Sequence, residues 1–97
     1  MTVVKETLDS ILKVKVTGRL DTSTAPDLEA QLSDSLAGAE AVEFNFSELE
    51  YISSAGLRVL LSVKKKLGGK DVVITGANET VTEVFEITGL SDVLVIK

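Results

Sequence analysis

The chain has no cysteine and no histidine. Without thiols it can form neither a disulfide nor a cysteine nucleophile, which fits a reducing compartment. Without imidazole, a Ser-His-Asp triad, a His-ligated metal and a histidine acid–base pair are all closed to it. Positive charge is also scarce, with 10 Lys and Arg against 15 Asp and Glu, a net charge of −5. That is the wrong sign for a surface that gains its affinity by neutralising phosphates, so proteins and not nucleic acids are the expected partners. No apolar run approaches the ~20 residues that span a bilayer, and Met-Thr-Val-Val-Lys-Glu has no signal-peptide core. No membrane association is expected, and the cytoplasm is the expected location.

What is present is an ordinary globular composition, 44% hydrophobic and 26% charged over 97 residues. This suffices for one domain, residues 1–97, that removes over ~60% of its unfolded surface from water. Val3 to Leu8 and Ile11 to Thr17 predict an antiparallel hairpin turned at Asp9-Ser10, because Leu12, Val14 and Val16 alternate with Lys13, Lys15 and Thr17. The weakly patterned first strand belongs at an edge. Leu28, Leu32 and Leu36 predict a helix over 25–37 with Pro26 in its first turn, a Thr24/Asp27 capping box and a stop at Gly38. Ala41 to Ser47, with Phe44 and Phe46, predicts a central strand.

A second helix follows to about Leu67, with Leu57, Leu60, Leu61 and Leu67 on its apolar side and Val59 and Val63 widening it. Lys64, Lys65 and Lys66 in its last turn face the negative helix end, and Gly68-Gly69 permit the C-cap; a helix stop explains this run better than a binding patch. Val72 to Ile74 predicts a buried strand. Thr80 and Glu83 form a second capping box before a helix faced by Val81, Val84, Phe85 and Thr88 and ended by Gly89, and Val93 to Ile96 is a last strand. Strands thus alternate with helices after the hairpin, which predicts an α/β fold: a mixed, mostly parallel sheet of four to five strands with three or more helices packed against it. Right-handed crossovers make the Asp21 loop and the Ser53-Ser54 junction neighbours.

That junction is the chemically distinctive place. Two serines stand between a strand and a helix start, where free N–H groups and the dipole tolerate negative charge. A hydroxyl there can be a cap, a nucleophile or a phosphate acceptor. Ser54-Ala55-Gly56 matches half of a G-x-S-x-G elbow, but Ile52 replaces the first glycine and there is no histidine to take the proton. Gly68-Gly69-Lys70 resembles the end of a Walker loop, but Lys64 replaces its first glycine and Asp71 the Mg²⁺-binding Ser or Thr. Asp21, Glu48 and Glu50 lack calcium-loop spacing and read as solvated charges. No cofactor and no metal are expected. Of the two serines, Ser53 is the better N-cap, and Ser54, as the first helical residue, has the hydroxyl freer to point at solvent; spacing alone favours a cap over a phosphate acceptor. A cap is worth ~1 kcal/mol, whereas a phosphate adds roughly −1.5 to −2 charges.

Four pieces of the chain resemble the STAS family, the anti-sigma factor antagonists of bacteria and their relatives. They are Leu12 to Asp21, ending Thr-Gly-Arg-Leu-Asp; Ser23-Thr-Ala-Pro; Leu49-Glu-Tyr-Ile-Ser-Ser-Ala-Gly-Leu-Arg; and Phe85-Glu-Ile-Thr-Gly-Leu. The resemblance implies a non-enzymatic STAS-like domain that binds an anti-sigma factor, itself a serine kinase, and is released when phosphorylated, with a PP2C-like phosphatase to reset it. It maps the phosphoacceptor onto Ser54 and the motif glycine onto Gly56. The motif's Asp is Ser53 here and its second hydroxyl is Ala55. Asp21 matches a loop acid beside the acceptor, and the partner surface is expected at Asp21, Thr22, Ser23, Ser53, Ser54, Ala55, Gly56 and Arg58. The rival expectation is a STAS-like scaffold or transport-system subunit with no switch. A monomer or a weak dimer through the edge strand is expected.

Overall fold

The computed structural model describes residues 1–97. β1 (Thr2–Leu8) and β2 (Ile11–Leu20) form the expected antiparallel hairpin, with Leu8 opposite Ile11. Asp9 and Ser10 both take positive φ, 51° and 67°, the backbone of a two-residue turn whose twist matches that of the strands. There follow α1 (Ala25–Ser33), β3 (Ala41–Asn45), β4 (Leu49–Ile52), α2 (Ser54–Lys66), β5 (Val72–Thr75), α3 (Glu79–Ile87), a 3₁₀ turn (Leu90–Asp92) and β6 (Val95–Ile96). The sheet has six strands in the order β1-β2-β3-β5-β6, with β4 paired to β2 off that path. Every pairing except the hairpin is parallel. β1 is at the edge and β3 at the centre, as their patterns imply.

β4 is the strand that the alternation rule misses. Leu49-Glu-Tyr-Ile buries only its two ends, so no period of two is visible in it. It exists because β2 is long enough to have two partners: Ile11–Lys15 lie along β3, whereas Gly18, Arg19 and Leu20 face Leu49, Tyr51 and Ile52 of β4 after a register shift at Gly18/Arg19. This second pairing brings the end of β4 beside the end of β2.

Leu12, Val14, Val16, Val42, Phe44, Val72 and Ile74 point into the core, while Lys13, Lys15, Glu43, Asn45, Val73 and Thr75 on the opposite face stay half-buried. The core is closed by Leu28 and Leu32 of α1, Leu57, Leu60 and Val63 of α2, and Val81 and Phe85 of α3. Phe46 bridges the Phe44 and Phe85 rings, at centroid separations of 5.5 and 6.5 Å. No polar residue is buried as a whole, and each large apolar side chain in the core contributes roughly 1.5–3 kcal/mol by its burial.

Several local expectations are corrected. α1 stops at Ser33, short of Ala37, because Ser33, Asp34 and Ser35 compete with the backbone; Ser33 Oγ donates to Ala30 O at 3.0 Å. Thr24 is the N-cap residue of α1 but its side chain caps nothing; it accepts from Asp21 N–H and donates to Arg19 O instead. Asn78, not Thr80, caps α3, its Oδ1 accepting from Val81 N–H at 2.8 Å. Leu61 is 42% exposed and leaves the buried side of α2, and Thr88, which ends α3 as its C-cap residue, is exposed too. The last strand is only Val95–Ile96, because the N–H groups of Val93 and Leu94 both turn back to Leu90 O at the end of the 3₁₀ turn. The lysine run behaves as a helix stop: Lys64 Nζ donates to Gly69 O and Lys70 O at 3.1 and 2.9 Å, across Gly68 and Gly69 in left-handed conformation.

Candidate functional site

The parallel β2/β4 pair delivers the two serines. Ser53 follows β4 in extended conformation, φ −101° and ψ 176°, as the N-cap residue of α2. Its N–H donates to Leu20 O at 2.9 Å and its carbonyl accepts from Leu57 N–H at 3.0 Å. The first of these bonds ties the junction to Leu20, the last residue before Asp21, so the two loops are neighbours as the crossover rule requires. The Ser53 hydroxyl is closed off from solvent and makes no hydrogen bond. The expected cap is therefore a backbone position without a side-chain bond. Ser54, the first residue of α2, is exposed.

Gly56 is buried in that first turn. A Cβ there would stand 2.8 Å from Ile52 Cγ1 and 2.8 Å from Leu20 Cγ. The missing side chain lets α2 sit directly on the β2/β4 pair. Ser54 is thus presented on a shelf fixed by packing, at a helix end whose N–H groups carry no side-chain cap and where an anion is favoured.

The facing loop is held by its own acid. Asp21 Oδ1 accepts from Ser23 Oγ at 2.7 Å, Ser23 N–H at 3.0 Å and Thr24 N–H at 3.2 Å. The Ser23 hydroxyl, followed by the Thr24 and Ser23 amides and the Thr24 hydroxyl, holds the Asp21 carboxyl below its ordinary value, against a partial loss of solvation. Asp21 Oδ2 lies 3.7 Å from Arg19 Nε, and the Arg19 guanidinium stands 4.5 Å over the Tyr51 ring, a cation–π arrangement. Arg19 and Tyr51 are site residues that the sequence reading missed. They face each other only because β4 pairs with β2, and that strand carries no periodic signal.

Beside the junction, α1 and α2 enclose an open groove of ≈ 450 Å³. Thr22, Pro26 and Glu29 line one side of it and Ala55, Arg58 and Ser62 the other. Of the expected partner residues, the groove gathers Thr22, Ala55 and Arg58, the loop holds Asp21 and Ser23 in mutual hydrogen bonds, Ser54 stands exposed, and Ser53 and Gly56 serve the packing beneath. Glu48 pairs with Lys15 at 3.0 Å, and no three Asp or Glu side chains cluster as metal ligands would. No helix is long and apolar enough to cross a membrane.

Over 91 residues the chain is 34% identical to the anti-sigma-B factor antagonist of Staphylococcus aureus, spanning 91% of this chain and 84% of that one. An anti-sigma factor antagonist from Mycobacterium paratuberculosis superposes with a TM-score of 0.88 at 27% identity, covering 98% of this chain and 83% of that one. The phosphorylated form of the Bacillus cell fate determinant SpoIIAA shares the fold at 20% identity and a TM-score of 0.76, over 99% and 91% of the two chains. The family model described as the STAS domain matches residues 2–97. A match from one end of the sheet to the other, carried by sequence as well as by architecture, means that this chain belongs to the STAS domain family.

Proposed function

We propose that the protein is an anti-sigma factor antagonist whose hold on its partner is switched by phosphorylation of Ser54. The observation that carries this reading is the contrast at the α2 start, where Ser54 is exposed and Ser53 Oγ is sealed. Only one of the two hydroxyls is open to a visiting kinase. The relatives named as anti-sigma factor antagonists support the role, and SpoIIAA, which has a phosphorylated form, supports the switch in the same fold. The partner is an anti-sigma factor with serine kinase activity. A PP2C-like phosphatase restores the free hydroxyl, and the docking surface is the Asp21-Thr22-Ser23 loop, Ser54, Ala55 and Arg58.

In the forward step, Ser54 Oγ attacks the γ-phosphorus of ATP. The new O–P bond forms as the bond to the β–γ bridging oxygen breaks, ADP leaves, and the hydroxyl proton passes to a base on the kinase. The chain supplies position and nothing catalytic. The added charge of roughly −1.5 to −2 lies at the positive end of α2, which favours it by roughly 0.3–1 kcal/mol, so the fold keeps its stability. A partner seated on the same spot meets a hydrated dianion. A cost of only ~4 kcal/mol to that partner weakens binding about a thousandfold.

The test is incubation with the cognate kinase and ATP followed by phosphopeptide mapping. Phosphate is expected on Ser54 and absent from Ser54→Ala. Full incorporation into Ser54→Ala contradicts the assignment, and a chain that no partner kinase modifies supports a scaffold role instead.

A further inference from the structure

Arg58 follows Ser54 by four residues on α2. Residues so spaced lie one above the other, roughly 5–6 Å apart at Cβ, and helical side chains lean toward the N-terminus. The long Arg58 side chain is therefore within reach of Ser54. Nothing in the molecule engages it: the two ion pairs are Lys15–Glu48 and Arg19–Asp21. It is exposed and forms part of the groove wall, with Glu29 of α1 also lining that groove. On the helix circumference it stands between Ser54 and the groove residues Ala55 and Ser62, so one guanidinium can serve either side.

We infer that Arg58 is the counter-ion of a phosphate on Ser54: on modification its guanidinium swings from the α1–α2 groove and closes on the phosphate oxygens one turn below. This rests on Ser54 as the modified hydroxyl and adds a second component to the switch. The planar fork of the guanidinium matches two phosphate oxygens, a geometry an ammonium lacks. The charged groups around the phosphate are then Arg58 on its own helix, Glu29 across the groove, and Asp21 on the adjoining loop, already facing Arg19. Arg58 is the cation among them that forms no ion pair. Modification both adds negative charge at the docking surface and withdraws the positive charge that the groove offers to an acidic partner group.

The test uses the full chain with phosphoserine installed at position 54 during translation, so that no kinase is needed. The second ionisation of the phosphate is followed by ³¹P NMR in the parent, Arg58→Gln and Arg58→Lys. Its midpoint in the parent is expected about 0.5–1 pH unit below that in Arg58→Gln, with Arg58→Lys between them. The gap should narrow in ~0.5 M salt. Equal midpoints in the three proteins overturn the inference. The Arg58 Nε–Hε resonance gives a reading that needs no variant to fold: it is expected to move on modification of the parent, and an unmoved resonance also overturns the inference. Because the phosphate is placed without a kinase, failure here leaves Ser54 standing as acceptor, whereas a chain that pairs Arg58 with its phosphate but is modified by no kinase defeats only the functional reading.

Discussion

Ser53 and Ser54 share a side chain and a neighbourhood, and the backbone alone separates their fates. Ser53 is still extended and turns its hydroxyl inward, where it has no partner; Ser54 is helical and opens to solvent. An N-cap serine normally loses ~1 kcal/mol on truncation to alanine. Ser53→Ala removes an unsatisfied polar atom instead, so chemical denaturation should show a change within about 0.5 kcal/mol or a small gain. At Gly56 an added methyl meets Ile52 and Leu20 close to their branch points. The better helix propensity of alanine, up to ~1 kcal/mol, works against an overpacking cost of roughly 1–3 kcal/mol. Gly56→Ala should therefore lower the denaturation midpoint by a net loss of about 1 kcal/mol. Asp21 supplies a pH signature. Its carboxyl titrates lower in the folded chain than its ordinary 3.8, chiefly through the Ser23 hydroxyl. A depressed folded value means stabilisation that is complete above about pH 4 and is lost as pH falls through the folded value. Melting temperatures from about pH 2 to 7 should fall on the acid side more steeply for the parent than for Asp21→Asn.

Among the elements, the legible ones were those with a clean period. Leu12-Val14-Val16 and Val42-Phe44-Phe46 identify β2 and β3, and the Asp9-Ser10 break between two apolar runs identifies the hairpin. β4 was illegible because Glu50 and Tyr51 are both exposed between buried Leu49 and Ile52; what holds it is pairing with residues thirty positions earlier, which no local pattern encodes. The capping boxes misled for a related reason. Thr24 sits at a cap position, yet a neighbouring acid loop engages its hydroxyl, and Thr80 is already the second residue of a helix that Asn78 caps. Asn78 also donates to Leu49 O at 3.0 Å, fastening α3 to β4. Asn78→Ala loses a cap and an inter-element hydrogen bond together and should cost about 1–2 kcal/mol in urea denaturation. A smaller loss would mean that α3 docks by Val81 and Phe85 alone.

For the molecule as a whole, the stabilising core and the exposed junction lie in different layers. The apolar core under the sheet contains no polar residue, while Ser54, the Asp21 loop and the α1–α2 groove lie at one end of that body. The exposed hydroxyl at the start of α2 was legible from its place between a strand and a helix, and the groove was not, since Thr22 and Arg58 line one groove only when α1 packs beside α2. On the proposed reading, this separation allows a dianion to be added or removed with the fold intact. The most direct test is calorimetric titration of the cognate anti-sigma factor into the chain with and without phosphoserine at 54, both forms first shown to melt within about 5 °C of each other. A dissociation constant that rises about a thousandfold on modification, with melting held, is the predicted result. Equal affinity of the two forms would contradict the account.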